Sequence, residues 1–321
     1  MTASMTHPRY LWWNGNRVNW EDATVHVTAL HWTAVNAIFE GIMSYWNADE
    51  EELFVFRLDA HLQRFLRSQK MMRMARDYSV AELTSAVTDL LRANDCRGDT
   101  YIFPYAYPAG GGRFMQYTSA TPGPTDITIT TRASSSHLLQ GALRHARVST
   151  WTRIPDTVMP PRIKNIANYR NSNLATAEAA IDGYDTAILL NSAGKVAEGP
   201  GACLMMVRDG KLFTPGVTES ILESITRQSI IDLARQELGL EVIERPIDRT
   251  ELYIADEVFF CGTAAEITPI GSVDRYPVGD GQEGPVTSAL ERHFHDIVRG
   301  KDSRYASWVT PAGIPKAVPA D

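Results

Sequence analysis

Along the first third of the chain, apolar positions come in short runs: YLWWNG, RVNW and VHV, then IFEGIMSYW and LFVFRL, with the acidic turn NADEEE between the last two. Such runs predict strands. The period changes at LDAHLQRFLRSQKMMRM, where Leu58, Leu62, Phe65 and Leu66 recur at helical spacing and Asp59 is placed as the N-cap. VAELTSAVTDLLRAN predicts a second amphipathic helix, and TYIFPYAYP and DITITT return to strand. This half reads as mixed α+β.

Between Ile129 and Val148 the pattern turns polar, in TTRASSSHLLQGALRHAR. That change predicts a first domain over 1–132, a linker over 133–143, a second domain over 144–300 and a loosely held Pro/Ala-rich tail over 301–321. The second domain begins with the strand ARVSTW. A helix, NSNLATAEAAIDG, ends at Gly183, and DTAILLN, VAEGP, ACLMMV and KLFTP follow as strands separated by NSAG and RDG turns. SITRQSIIDLARQELG is a strong amphipathic helix closed by Gly239; VIERPI, EVFFCG and EITPI are strands, and a last helix surrounds SALERHFHDIVRG.

Composition narrows the class. The chain has 321 residues, 44% apolar and 21% charged, as expected of a globular protein. A net charge of −7 argues against nucleic-acid binding. Cys96, Cys203 and Cys261 are widely spaced and imply neither a disulfide framework nor a structural zinc site. The N-terminal MTASMTHPRYLWW has no apolar signal core, and no run reaches membrane-spanning length, so the cytoplasm is the expected compartment. A GxSxG elbow, a P-loop and a dinucleotide fingerprint are all absent, and His293 and His295 are spaced to diverge on a helix, so no metal is expected.

Three features carry chemistry. The lysines are Lys70, Lys164, Lys195, Lys211, Lys301 and Lys316, and Lys164 alone has apolar neighbours on both sides, Ile163 and Ile166, behind the prolines of MPPRIKN. Desolvation makes an amine nucleophilic, as a Schiff-base lysine requires; the alternative is a buried stem with a solvated head. Ser224-Ile225-Thr226 opens a helix whose free N–H groups form an anion site, against the alternative of a plain cap. Thr263, in Cys261-Gly262-Thr263-Ala264, adds a hydroxyl, and Arg64 is a candidate phosphate donor. Glu198, between Val196-Ala197 and two glycines, is an acid that needs a cationic or N–H partner, unless it is a surface residue at a strand end. Lysine, helix N-terminus and buried acid together fit pyridoxal 5'-phosphate, with its aldehyde, phosphate and ring nitrogen.

The segments HLQR, K-N-I-A-N-Y-R-N-S, LNSAGKVAEGPGACL, LFTPG, ITRQSII and DEVFFCGTAAEITPI resemble the class IV pyridoxal-phosphate aminotransferases of the branched-chain group, from about Trp13 to Val273. The resemblance implies a two-domain fold type IV architecture, a small N-terminal α/β domain and a larger, β-barrel-like cofactor-binding domain, α+β in class. It implies a transaminase in which Lys164 is the Schiff-base lysine. Tyr169 is similar to the tyrosine that meets the cofactor's phenolic oxygen, and Glu198 to the partner of the ring nitrogen. Arg64, Ile225, Thr226 and Thr263 match the phosphate binders. Tyr101 matches the tyrosine near the substrate carboxylate, and Thr263 and Ala264 the turn whose amides meet that carboxylate. A homodimer or larger homo-oligomer is implied by the resemblance only.

The departures concern the substrate. Met43 stands where the family usually has arginine, Ala34 and Val35 where relatives have an aromatic-glycine pair, and Phe103 where some carry arginine. With Trp32 and Phe39, these predict a larger, more apolar and less cationic pocket, and Arg113 on the glycine-rich AGGGRF loop is a candidate substitute for the missing arginine. The expected donor is a hydrophobic, branched-chain-like amino acid with a 2-oxo acid as acceptor. A primary amine, as for R-selective amine transaminases, is the alternative, and a non-catalytic binding protein on the same fold is a third reading.

Overall fold

The computed structural model describes residues 7–109 and 122–316, without the side chains of residues 31–33. The chain forms two compact units, one of residues up to Ser136 together with those from Asp296 onward, the other of His137–His295.

The first unit contains β1 (Tyr10–Trp13), β2 (Asn16–Asn19), β3 (Ile38–Phe39), β4 (Ile42–Asn47), β5 (Glu52–Phe56), β6 (Thr100–Pro108) and β7 (Thr125–Ala133), with helices α1 (Leu30–Asn36), α2 (Leu58–Met71) and α3 (Val80–Ala93). The strands run in the order β5-β4-β6-β7-β1-β2, and β3 also pairs with β6. Phe39 lies opposite Tyr105, and Met43 opposite Tyr101. Directly paired residues share a face, so Phe39, Met43, Tyr101, Phe103 and Tyr105 stand on one side of the sheet. Ile38, Glu40 and Ile42 stand on the other, fully buried.

The second unit contains β8 (Arg144–Val148), α4 (Asn168–Ile181), β9 (Thr186–Leu190), β10 (Val196–Glu198), β11 (Cys203–Arg208), β12 (Lys211–Thr214), α5 (Ile225–Gln236), β13 (Val242–Glu244), β14 (Glu257–Gly262), β15 (Glu266–Val273) and β16 (Tyr276–Pro277). The order β10-β9-β8-β15-β14-β11 closes on itself because β10 also pairs with β11, which makes a barrel. Ile188, Leu204, Met206, Val258, Phe260 and Ile270 form part of its core. Ala175 and Ala179 bring α4 against Ala187 and Leu189. A last helix, α6 (Pro285–Val298), leads back to the first unit, whose own strand β17 (Val309–Pro311) pairs with β5.

Several expectations need correction. VHV is not a strand: Val25 and Val27 are exposed, and without a cross-strand partner the chain forms a 3-10 turn at Val27–Ala29. α1 is not apparent from the pattern, because two of its apolar residues, Leu30 and Val35, are exposed rather than set on a buried stripe. α2 starts at Leu58 with Arg57 as N-cap in the left-handed region; Asp59 lies in the first turn and accepts from Gln63 Nε2 at 2.6 Å. The tail is held more firmly than its composition suggests. Besides β17, Ala312 donates its N–H to Leu53 O at 2.8 Å, and Ala312 and Ile314 are buried. Among the described residues no helix is long and apolar enough to cross a membrane.

Candidate active site

Lys164 lies in a turn-rich segment that its neighbours hold rigidly. Ile163 N–H bonds to Pro160 O at 3.1 Å, and Asn168 Nδ2, at the start of α4, donates to Ile163 O at 3.2 Å. Ile163 is buried and Lys164 is half-buried. The Lys164 amine does not simply reach into solvent: Nζ donates to Tyr169 Oη at 2.6 Å. The short step from loop to helix places the two side chains together, so the Lys164 head has a phenol partner rather than solvent alone.

Glu198 is buried at the end of β10, with a charged partner that the sequence does not reveal. Arg153, itself buried, donates from Nε to Glu198 Oε1 at 2.7 Å and from Nη1 to Asn168 O at 3.4 Å. Leu222 N–H donates to Glu198 Oε2 at 3.1 Å. Nothing in the periodicity marks Arg153, because its partner lies 45 residues away. The surface alternative for Glu198 is excluded by its burial. Gly199 is required by close approach: a Cβ there would lie 2.9 Å from Phe260 Cζ.

Two residues beyond Leu222, Ser224 caps α5, its Oγ accepting from Arg227 N–H at 3.2 Å. The first amides of a helix have no intrahelical acceptor, which leaves those of Ile225 and Thr226 for an anion, and Thr226 is buried. A continuous set of bonds therefore ties the Lys164–Tyr169 segment, through Asn168, Arg153, Glu198 and Leu222, to the start of α5. Thr263 and Ala264 form the turn after β14, half-buried and exposed respectively. Gly262 lies close against the Gly199–Ala202 bend: a Cβ on it would come 3.3 Å from Gly201 O.

In the first unit, Arg64 is buried and donates to Glu40 through Nε and Nη2, both at 2.7 Å, while His61 Nδ1 lies 2.8 Å from Glu40 Oε2. Burial alone would raise the Glu40 carboxyl, but the Arg64 charge and the hydrogen bonds from Arg64 and His61 outweigh it and lower it to about 2. Glu40 and His61, unassigned from sequence, thus fix the orientation of Arg64. On the opposite face Tyr101 packs on Gly41, where a Cβ would stand 1.9 Å from its hydroxyl, and the Arg132 guanidinium lies 4.5 Å over its ring. Phe39 and Phe103 stack at 5.2 Å, Met43 is buried beside Tyr101, and Ala34 is exposed. The Trp32 side chain and Arg113 lie outside the described residues. Among the described residues no cluster of three or more His, Cys, Asp or Glu side chains is arranged to hold a metal.

A closed barrel carrying a tyrosine-paired lysine, a buried glutamate and an open helix N-terminus defines a class, and comparison with known proteins agrees. Residues 37–273 match the family described as amino-transferase class IV, and the chain belongs to it. It is 40% identical over 302 residues to a probable branched-chain-amino-acid aminotransferase of Aquifex aeolicus, covering 94% of this chain and 96% of that one. The branched-chain-amino-acid aminotransferase of Escherichia coli K12 is 40% identical over 305 residues, covering 94% and 96%. The crystal structure of a branched-chain amino acid aminotransferase from Thermobaculum terrenum, in its PLP form, is 51% identical with a TM-score of 0.93, covering 96% of this chain and 99% of that one. Class IV aminotransferases use pyridoxal 5'-phosphate. The donor set fits that group: an amine held by a phenol, a buried carboxylate with fixed orientation, and helix amides left for a phosphate.

Proposed function

We propose that this aminotransferase takes its amino group from a hydrophobic, branched-chain-like amino acid and passes it to a 2-oxo acid, with pyridoxal 5'-phosphate bound through Lys164. When bound, the cofactor supplies an aldehyde for amines and a ring that takes up the electrons released at the donor's α-carbon. Lys164 Nζ would hold the cofactor through its aldehyde and would serve as the base for the donor's α-proton. Tyr169 Oη, 2.6 Å from Nζ, orients that amine. Glu198 accepts from the ring nitrogen and keeps the proton there, its carboxylate held in place by Arg153 and Leu222. Ile225, Thr226, Thr263 and Arg64 hold the phosphate, and Tyr101 and the Thr263–Ala264 amides meet the donor carboxylate.

The single observation that carries the reading is the Lys164–Tyr169 pair within a barrel that also buries Glu198. The donor class rests on the likeness to branched-chain aminotransferases. One of them, from the archaeon Thermoproteus uzoniensis, is solved with norvaline, at 38% identity and a TM-score of 0.87 over 95% of this chain and 99% of that one. Relatives of that name do not favour the primary-amine alternative, and the paired lysine and held glutamate leave the non-catalytic reading without support. A cytoplasmic location and a homodimer or larger assembly complete the proposal, the latter on resemblance alone. The test is a half-reaction: leucine or valine added to the loaded enzyme should convert the cofactor's absorption band to that of the pyridoxamine form. Conversion by 1-phenylethylamine but by neither amino acid would replace the donor assignment with the amine alternative.

A further inference from the structure

β14 and β15 are joined by the three-residue turn Thr263–Ala265, and the residue that closes it, Glu266, has a φ of 44°. Three-residue hairpin loops commonly place glycine at the left-handed position. A glutamate there is strained backbone kept for its side chain. That side chain is buried and engaged. Glu266 Oε2 accepts the backbone N–H of His137 at 2.7 Å and lies 2.9 Å from His137 Nδ1. His137 Nε2 lies 3.3 Å from Thr268 Oγ1, whose own proton goes to Ala265 O at 2.6 Å. Nδ1 faces a carboxylate and so donates to it, and with the Thr268 hydroxyl turned to Ala265 O, Nε2 is placed to donate to Thr268 Oγ1, an arrangement that suits the protonated ring. Two ring N–H groups define the imidazolium.

We propose that His137 and Glu266 form an ionic latch that fixes the Thr263–Ala265 turn to the segment entering the barrel, and that this latch positions the turn's amides for the carboxylate of the amino-acid donor. The inference rests on the functional reading above. Both are positioning residues, since neither is assigned contact with substrate or cofactor. A second carboxylate, Glu291 of α6, accepts Leu139 N–H at 2.9 Å, so the segment 137–139 is held on two sides. Among the described residues Glu266 and Glu291 are the charged groups that act on His137. The Glu266 hydrogen bond is the largest influence on the ring, opposed by burial and aided by the Glu266 charge, a hydrogen bond to the Ala265 backbone and the Glu291 charge, and the result is a raised pKa. A raised histidine keeps its interaction in the protonated form and loses it as pH rises through the folded-state value.

His137→Gln and Glu266→Gly test the latch, the first keeping neutral hydrogen bonding and the second keeping the left-handed backbone. In hydrogen-exchange mass spectrometry of the loaded enzyme, the peptide covering 258–270 should exchange roughly tenfold faster in both variants, the scale of one charge-assisted hydrogen bond. Donor KM should rise by a similar factor while kcat and the cofactor spectrum stay close to wild type. Wild-type donor KM should also climb with pH through the histidine titration, a component missing in His137→Gln. Unchanged exchange and unchanged KM in both variants would overturn the latch. If Glu266→Gly does not fold, His137→Gln carries the test. If the wild type responds to no amino acid, the functional reading fails, and the exchange measurement still judges the latch.

Discussion

Arg153 Nε donates to Glu198 Oε1 across 2.7 Å, and both side chains are buried. Removing one member of such a pair leaves an uncompensated charge in the interior, which costs about 3–5 kcal/mol. Arg153→Met should therefore lower the melting temperature of the cofactor-free protein sharply. Arg153→Met combined with Glu198→Met should recover much of the loss, and additive losses in this double-mutant cycle would mean that the two groups are not coupled.

Glu198→Gln keeps size and hydrogen bonding but withdraws the negative charge proposed to face the ring nitrogen. The variant should retain bound cofactor and lose turnover on the order of a hundredfold or more, as for other key electrostatic groups. Steady-state rates at saturating cofactor measure this, and near-normal turnover would remove Glu198 from the chemistry.

Glu40 and Arg64 make a pH-dependent contribution in the first unit. The folded carboxyl lies at about 2, below its ordinary 4.5, so the pair stabilises the protein above pH 4.5 and the contribution fades as pH falls from there toward 2. Acid unfolding should begin at higher pH in Glu40→Gln than in the wild type. Arg64→Ala should in addition weaken cofactor affinity by about 1.5–3 kcal/mol, the worth of a hydrogen bond to a charged group; an unaltered cofactor titration would confine Arg64 to structure.

Phe39 and Phe103 stack at 5.2 Å and Met43 is buried on the same sheet face. An apolar wall leaves the side-chain carboxylate of glutamate unpaired, at a cost of several kcal/mol. Leucine should react faster than glutamate in the half-reaction, and Phe103→Arg should narrow the gap. Arg113→Ala serves as control for a loop arginine that reaches the glutamate side chain. Equal rates for the two donors in the wild type and in Arg113→Ala would contradict the apolar reading.

What the sequence makes legible is local or covalent in origin. Lys164 stands out through its neighbours Ile163 and Ile166, and the helix start at Ser224 through its cap residue, which bonds as expected to Arg227 N–H. Glu198 is legible as an acid in need of a partner, but its protein partner is not, because a guanidinium 45 residues earlier is brought up by barrel closure rather than by any period in the chain. Glu40 is hidden for the same reason, its ties to His61 and Arg64 being made across a strand–helix contact. Glu266 is hidden differently: its left-handed backbone leaves no mark in a run that otherwise reads as strand. Edge features mislead where exposure overrides pattern, as at Val25 and Val27.

Lys164, in 2.6 Å contact with Tyr169, is the residue proposed to hold the cofactor. Borohydride reduction of the loaded enzyme, followed by peptide mass analysis, tests it directly. A pyridoxyl group is expected on the peptide containing Lys164 and on none of those with Lys70, Lys195, Lys211, Lys301 or Lys316; a pyridoxyl group on any of these, with Lys164 unmodified, would contradict the assignment.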